Sequence, residues 1–331
     1  MLARRAACRF CTDKVKGIEF MSAYLFVHFR EKATPDGEQI YFGVSRDGCH
    51  WKAVNEGRPV LWSYLGEKGV RDPVVFRHEN GNYFIIATDL SLAYSLKYKY
   101  HGSWHEVSQR GSQCLSLWES DDLLHFKPQR MLDFSGYGFG CMWAPDVIRP
   151  SGSREYILHW SSPIPGNPSK KAIFYALTRD FVTFSAPGIL YEKEDSSVID
   201  SALYEQNGTF YLFVKSEAHP ETIIMLRSGD PLGPFERISR FDDEMSKLDQ
   251  GKYEAPAAFR LPEGRWCLLL DYYGVPGKGQ GYVPFVAESL ASGAFIRSGG
   301  GFSFPYGFKH GTVLAISDET CSALESLVMD D

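Results

Sequence analysis

Apolar residues in this chain come in short runs, each cut by a turn and answered by a second run of similar length. Asp72-Pro73-Val74-Val75-Phe76 is followed by a turn at Gly81 and a return through Tyr83-Phe84-Ile85-Ile86. Asp146-Val147-Ile148 turns at Ser151-Gly152-Ser153 and returns through Tyr156-Ile157-Leu158. Asp200-Ser201-Ala202-Leu203-Tyr204 turns at Asn207-Gly208 and returns through Phe210-Tyr211-Leu212-Phe213-Val214. Glu254-Ala255-Pro256-Ala257-Ala258-Phe259 turns at Leu261-Pro262-Glu263-Gly264 and returns through Trp266-Cys267-Leu268-Leu269-Leu270-Asp271. Short β-rich runs bounded by Gly, Asn and Ser predict hairpins of strands. An acid opens each hairpin. Asp146 to Asp200 spans 54 positions, as does Asp200 to Glu254, so the acid is expected at one equivalent place in each repeat. The interval from Asp72 to Asp146 is 74, and the excess is a polar, Tyr-rich insert around residues 92–113. That insert is expected to be long and irregular, either a rim loop over a cleft or an ordinary surface insertion.

A second repeat counts the units. A small hydroxyl residue is followed six or seven positions later by an aromatic one, from Ser45 to Trp51, Ser120 to Phe126, Thr178 to Phe184, Ser228 to Phe235 and Ser289 to Phe295. An apolar strand precedes every copy, and the Ser/Thr and Asp side chains suit a turn that bonds its own backbone. Five copies mean five units of four short strands, the signature of an all-β, five-bladed β-propeller. The first unit has no acid in the strand 24–29 and carries His28 instead. The tail strand from Lys309 to Ile316 has no unit of its own. It is expected to pair with the N-terminal unit, closing the ring and removing exposed edges. Acids at equivalent inner-strand positions then converge on the propeller axis.

Composition narrows the partners. The 331 residues are 44% hydrophobic, enough for one large domain, and 15% aromatic, which suits strands and sugar faces alike. A net charge of −6 offers no basic excess for phosphates, which excludes a nucleic-acid partner. No apolar run reaches the roughly eighteen residues of a membrane span. Seven scattered cysteines fit a reducing compartment, and Cys8-Arg9-Phe10-Cys11 lacks the second pair of a zinc knuckle. Residues 1–20 are basic but have no apolar stretch for a secretory signal. They read as a disordered extension or a misplaced start before Met21. The expected organisation is a single propeller domain over 21–320 and a C-terminal tail over 321–331, in a cytoplasmic protein. The oligomeric state is not legible.

Carboxylates gathered from separate blades suit acid/base hydrolysis across a sugar better than a calcium cage, which wants closely spaced oxygens in one loop. A third carboxylate near a general acid raises its pKa by like-charge repulsion. Val70-Arg71-Asp72-Pro73, Trp143-Ala144-Pro145-Asp146, Val198-Ile199-Asp200-Ser201 and Tyr253-Glu254-Ala255-Pro256 resemble the successive blade motifs of glycoside hydrolase family 43, and His310-Gly311-Thr312-Val313 resembles its closing segment. The resemblance runs in order over about 22–320. It implies an inverting five-bladed glycosidase acting on arabinofuranosidic or xylosidic bonds of an oligosaccharide. By position, Asp72 matches the general base, Glu254 the general acid and Asp200 the carboxyl that orients the acid and tunes its pKa. Trp143 matches a sugar-subsite position, and Asp146 matches no proton carrier. His310 matches a channel histidine that some members associate with a water-shelled Ca2+; no cofactor is otherwise required.

The chain departs from that pattern at Ala255, where Gly is commoner, and at Lys309, where an arginine often holds a sugar hydroxyl. Arg71 is left either as a substitute contact or as an ion-pair partner of Asp72. His28 is left either as a subsite residue or as a packed histidine. The implied activity is removal of terminal α-L-arabinofuranosyl residues from arabino-oligosaccharides or related plant-polysaccharide fragments. A β-D-xylosidase of the same fold and a non-catalytic carbohydrate-binding propeller are the alternatives.

Overall fold

The computed structural model describes residues 21–219, 221–248, 251–277, 280–305 and 307–329. The expected extension at 1–20, with Cys8 and Cys11, lies outside these residues. Within them, no helix is long and apolar enough to cross a membrane.

The described strands form five four-stranded antiparallel sheets. In blades two to five the innermost strands are Val70–Arg77, Trp143–Ile148, Val198–Gln206 and Lys252–Arg260, and each blade then runs outward in chain order. Blade one differs. Its innermost strand is the last in sequence, Lys309–Ser317, followed outward by Met21–Phe29, Tyr41–Ser45 and Lys52–Ala53. The ring closes by pairing Leu25 with Leu314 and Phe26 with Val313. The N-terminal strand that bears His28 is therefore a second strand, one step away from the axis.

The second strands read as unbroken apolar runs because both faces are buried between blades. Side chains alternate across the strand, so Leu25 and Val27 pack toward blade two while Tyr24 and Phe26 pack toward blade five. Likewise Ile85 and Ala87 face blade one, and Phe84 and Ile86 face blade three. The hydroxyl–aromatic repeat forms the expected turns. Ser45 Oγ accepts from Gly48 N at 2.9 Å, and Asp47 Oδ1 accepts from Cys49 N and His50 N at 2.8 Å. Ser120 with Asp122 and Thr178 with Asp180 repeat this pattern. Ser289 instead caps a single helical turn, accepting from Ser292 N.

Two expectations change. The insert is not irregular: it holds two short helices, Leu92–Lys99 and Trp104–Arg110, capped by Ser91 and Ser103. They enclose an apolar cluster of their own, Leu90, Leu96, Tyr100 and Val107, against which Trp143 packs. The tail boundary expected at 320 falls inside a helix, Asp318–Glu325. Its Cys321 and Leu324 are wholly buried in the core between blades one and two, and Arg46 grips Asp318 and Glu325 from outside.

Leu324→Ala is expected to lower the unfolding free energy by about 2–5 kcal/mol, as for a fully buried leucine. A urea titration measures it. A shift under about 0.5 kcal/mol would mean that the helix is an appendage outside the core.

Candidate active site

The site begins with a backbone irregularity. In blades two to five the register between innermost and second strand slips once, between Arg71 and Val74, Trp143 and Asp146, Ile199 and Ser201, and Glu254 and Ala257. At each slip one residue has a left-handed backbone: Asp72 (φ 51°), Ala144 (φ 47°), Asp200 (φ 51°) and Ala255 (φ 56°). Such a bulge turns side chains out of the pleat toward the axis. Pro73, Pro145 and Pro256 follow three of the four, where a proline leaves no amide unpaired.

This geometry revises the sequence repeat. The equivalent residues are Asp72, Ala144, Asp200 and Ala255, so the four acids do not occupy one position. Glu254 precedes its bulge residue and Asp146 lies two beyond. Asp146 consequently points between blades, where it accepts from Val147 N at 2.8 Å and Leu203 N at 3.3 Å. Burial pushes its carboxyl up to about 7. His159 stands 3.7 Å from it and also bonds Ser201 Oγ at 2.8 Å, but this Ser–His–Asp arrangement is buried and lines no part of the axial cavity.

Asp72, Asp200, Glu254, Arg71, Trp143 and His310 line one cavity of about 690 Å³ at the axis. His310 Nδ1 lies 3.0 Å from Asp72 Oδ1 and 3.9 Å from Asp200 Oδ2. Burial would lower its pKa, but Asp72, then Asp200 and Glu254, lift it to about 9, so the ring is an imidazolium at neutral pH. Thr88 Oγ1 donates to Asp72 Oδ2 at 3.0 Å and accepts from Ala144 N at 2.8 Å, tying the bulges of blades two and three. Burial alone would raise Asp72; His310 and Arg71 hold it below the ordinary carboxylate value, hence ionised.

The other two carboxyls divide differently from expectation. Burial, with Glu254 nearby, raises Asp200 to about 6 against the pull of His310. Glu254, expected to be raised, is lowered instead: burial opposes its charge, but Lys215 and then Lys309 outweigh it. Lys215 Nζ donates to Glu254 Oε2 at 3.0 Å, and Lys309 Nζ stands 3.6 Å from Oε1. Arg71 makes its close ion pair with buried Glu38 at 2.5 Å, and its charge also acts on Asp72. Glu38 also accepts from Leu92 N, which fixes the first helix of the insert. The second helix supplies Trp104 to the cavity wall, edge-on to Trp143 at 6.4 Å.

His28 does not reach the cavity. Its ring is buried, stacked on Phe308 at 3.9 Å, and Nδ1 meets Phe29 O at 3.0 Å. Burial lowers it to about 3, so it is a neutral core residue, as its second-strand place requires. His310 does not fit a calcium site either. Its Nδ1 is taken up by Asp72 at 3.0 Å, and among the described residues no cluster of three His, Cys, Asp or Glu side chains has metal-binding geometry. The sequence reading overlooked Lys215, Tyr273 and Asp271. The available signal was a charge inside an apolar return strand, Lys215 after 210–214 and Asp271 after 266–270.

A family model described as a probable glycosyl hydrolase domain, related to glycoside hydrolase family 43, matches residues 19–321. An α-L-arabinofuranosidase of Bifidobacterium longum subsp. longum is 29% identical over 218 residues, 59% of this chain and 20% of that protein. The chain thus spans about a fifth of the length of that curated relative. Among solved structures, the GH43 protein BlXynB from Bacillus licheniformis aligns with a TM-score of 0.59 at 16% identity, over 94% of this chain and 57% of that one. An endo-1,4-β-xylanase of Bacteroides thetaiotaomicron aligns with a TM-score of 0.57 at 16% identity, over 84% and 91% of the two chains. At such identities the likeness concerns the fold.

The imidazolium of His310 links stability to pH. A group raised from an ordinary 6.5 to about 9 stabilises the fold fully below pH 6.5, and that stabilisation is lost as pH rises through 9. Unfolding free energies from urea titrations between pH 6 and 10 should fall more for the wild type than for His310→Gln, by on the order of 3 kcal/mol over the window. Parallel curves would refute the charged pairing.

Proposed function

The chain belongs to the family of probable glycosyl hydrolase domains related to glycoside hydrolase family 43, and on that premise we propose an inverting glycosidase that removes terminal α-L-arabinofuranosyl residues from arabino-oligosaccharides or related plant-polysaccharide fragments. The observation that carries this reading is the meeting of Asp72, Asp200 and Glu254, from three separate blades, on one cavity. The name of the Bifidobacterium relative supports the choice of sugar.

In this mechanism Asp72 is the general base. It is ionised, held in place by Thr88 and His310, and accepts the proton of the attacking water. Water attacks the anomeric carbon from the face opposite the leaving group, so the configuration inverts. Glu254 gives the leaving oxygen its proton. Asp200 accepts from Ala255 N at 3.3 Å, which couples its charge to the backbone that carries Glu254. Lys215 keeps Tyr273 Oη at 2.7 Å and Glu221 at 3.6 Å when Glu254 is protonated, so no buried ammonium is stranded. Trp143 and Trp104 line the cavity as apolar surface for the sugar, and Arg71, fixed by Glu38, offers donors.

The wild type is expected to release nitrophenol from 4-nitrophenyl α-L-arabinofuranoside faster than from the β-D-xylopyranoside, with an inverted first product by NMR. Asp72→Asn should lower kcat/KM about 10²–10⁴-fold while unfolding stays cooperative, at a lower temperature because His310 loses its nearest carboxylate. Glu254→Gln should impair an oligosaccharide more than the nitrophenyl glycoside, whose leaving group needs little protonation. Full activity in Asp72→Asn, or retention of configuration, would sink the assignment. Faster turnover of the xyloside would move the reading to a β-D-xylosidase.

A further inference from the structure

Glu254 must hold a proton to act as an acid, yet each of its oxygens faces an ammonium group. Lys215, on the second strand of blade four, covers Oε2 at 3.0 Å, and Lys309, on the closing strand, stands 3.6 Å from Oε1. A carboxylate between two cations keeps its charge. It can be protonated without great cost only if both ammonium groups have other partners.

The second strand of blade five, Trp266–Tyr273, supplies one such partner for each. Asp271 and Tyr273 are two residues apart and share a face. Tyr273 Oη accepts from Lys215 at 2.7 Å. Asp271 Oδ2 lies 2.6 Å from Lys309 Nζ, against the 3.6 Å from that ammonium to Glu254. Asp271 is the direct cross-strand partner of Glu254, is wholly buried and does not line the cavity. Nothing in the proposed chemistry uses it; burial pushes its carboxyl up to about 6 against the pull of Lys309, so at neutral pH it is an anion, costly at such a depth unless it has a local task.

Resting on the role proposed for Glu254, we propose that Asp271 is a positioning residue: it draws the Lys309 ammonium away from the Glu254 carboxylate and leaves that carboxylate free to take and give a proton. The other charged or titratable groups facing the pair are His310 on the closing strand and Asp200 in blade four. Glu31 stands 3.3 Å from Lys309, Glu221 lies beyond Lys215, and Tyr282 faces Asp271 from the third strand of blade five. Glu31 lines the cavity mouth, so Asp271 is the fixed, dry partner of Lys309.

Asp271→Asn removes the anion at nearly constant shape. In full chain carrying 13C-labelled glutamate carboxyls, the Glu254 resonance is identified by its loss in Glu254→Gln. Its titration midpoint is expected to fall by about one pH unit or more in Asp271→Asn and to recover in Asp271→Asn/Lys309→Met. The alkaline limb of the hydrolysis profile should move down with it. Turnover of an arabino-oligosaccharide should drop about tenfold or more, and that of the nitrophenyl glycoside by less than about twofold. An unmoved midpoint overturns the proposal, as does an equal loss on both substrates with the midpoint unmoved, the mark of a merely structural role. A shifted midpoint in a chain that hydrolyses neither glycoside upholds the positioning role and overturns the glycosidase reading. If Asp271→Asn does not fold, Lys309→Met alone should raise the Glu254 midpoint, and no rise overturns the proposal.

Discussion

The pairing of the last strand, Lys309–Ser317, with the first, Met21–Phe29, is the contact on which both fold and site depend. It seals a ring that would otherwise expose two strand edges. It also places the last strand innermost, so Lys309 and His310 reach the axis while the first strand is displaced outward. Two of the cations that stabilise the cavity, Lys309 and His310, therefore arrive only when the ring is closed. Thr312 on the same strand accepts from Val75 N at 2.8 Å, so the closing strand is bonded to blade two as well as to blade one.

Charge balance follows from that closure. Asp72, Asp200 and Glu254 could not share a buried cavity as three anions without nearby cations. His310 stands between the first two, and Lys215 and Lys309 attend the third. The result is graded: Asp72 is held ionised, Asp200 is lifted to about 6, and Glu254 is bound up in ion pairs. Proton transfer at this site then depends on how firmly the lysines are held elsewhere, which moves attention from the carboxylates to the strand behind them.

The bulges carry a cost that the site repays. A left-handed backbone at a non-glycine residue costs roughly 1–2 kcal/mol, and the innermost strands bear four. Asp tolerates this conformation better than most residues, because its short side chain finds local partners; Ala144 and Ala255 do not have that compensation. Ala255 therefore keeps its methyl group where glycine would sit without strain. Its amide donates to Asp200, so this strained position joins the two carboxyls proposed to act together.

Much of this protein was legible in its sequence. Runs of strand length, turn residues at fixed offsets and the hydroxyl–aromatic repeat counted five blades, because each of those signals is local and depends on neighbours a few residues apart. Asp72, Asp200 and Glu254 stood out because each opens an apolar run that ends in a turn, whereas His310 and the roles expected of all four came from the family resemblance. Spacing misled where the register mattered. The intervals of 54 aligned Asp146 and Glu254 with Asp200, but only the strand pairing shows that the bulge residues are equivalent and that Asp146 faces away. His28 was misplaced for a topological reason, since no local pattern says that the first blade takes its inner strand from the far end of the chain. Lys215 and Asp271 are charges in apolar runs, which the sequence displays without saying what they meet. Ion pairs between residues 39 or 38 positions apart, as in Lys215–Glu254 and Lys309–Asp271, exist only once blades stand side by side, so the protonation of the site was decided by the tertiary structure.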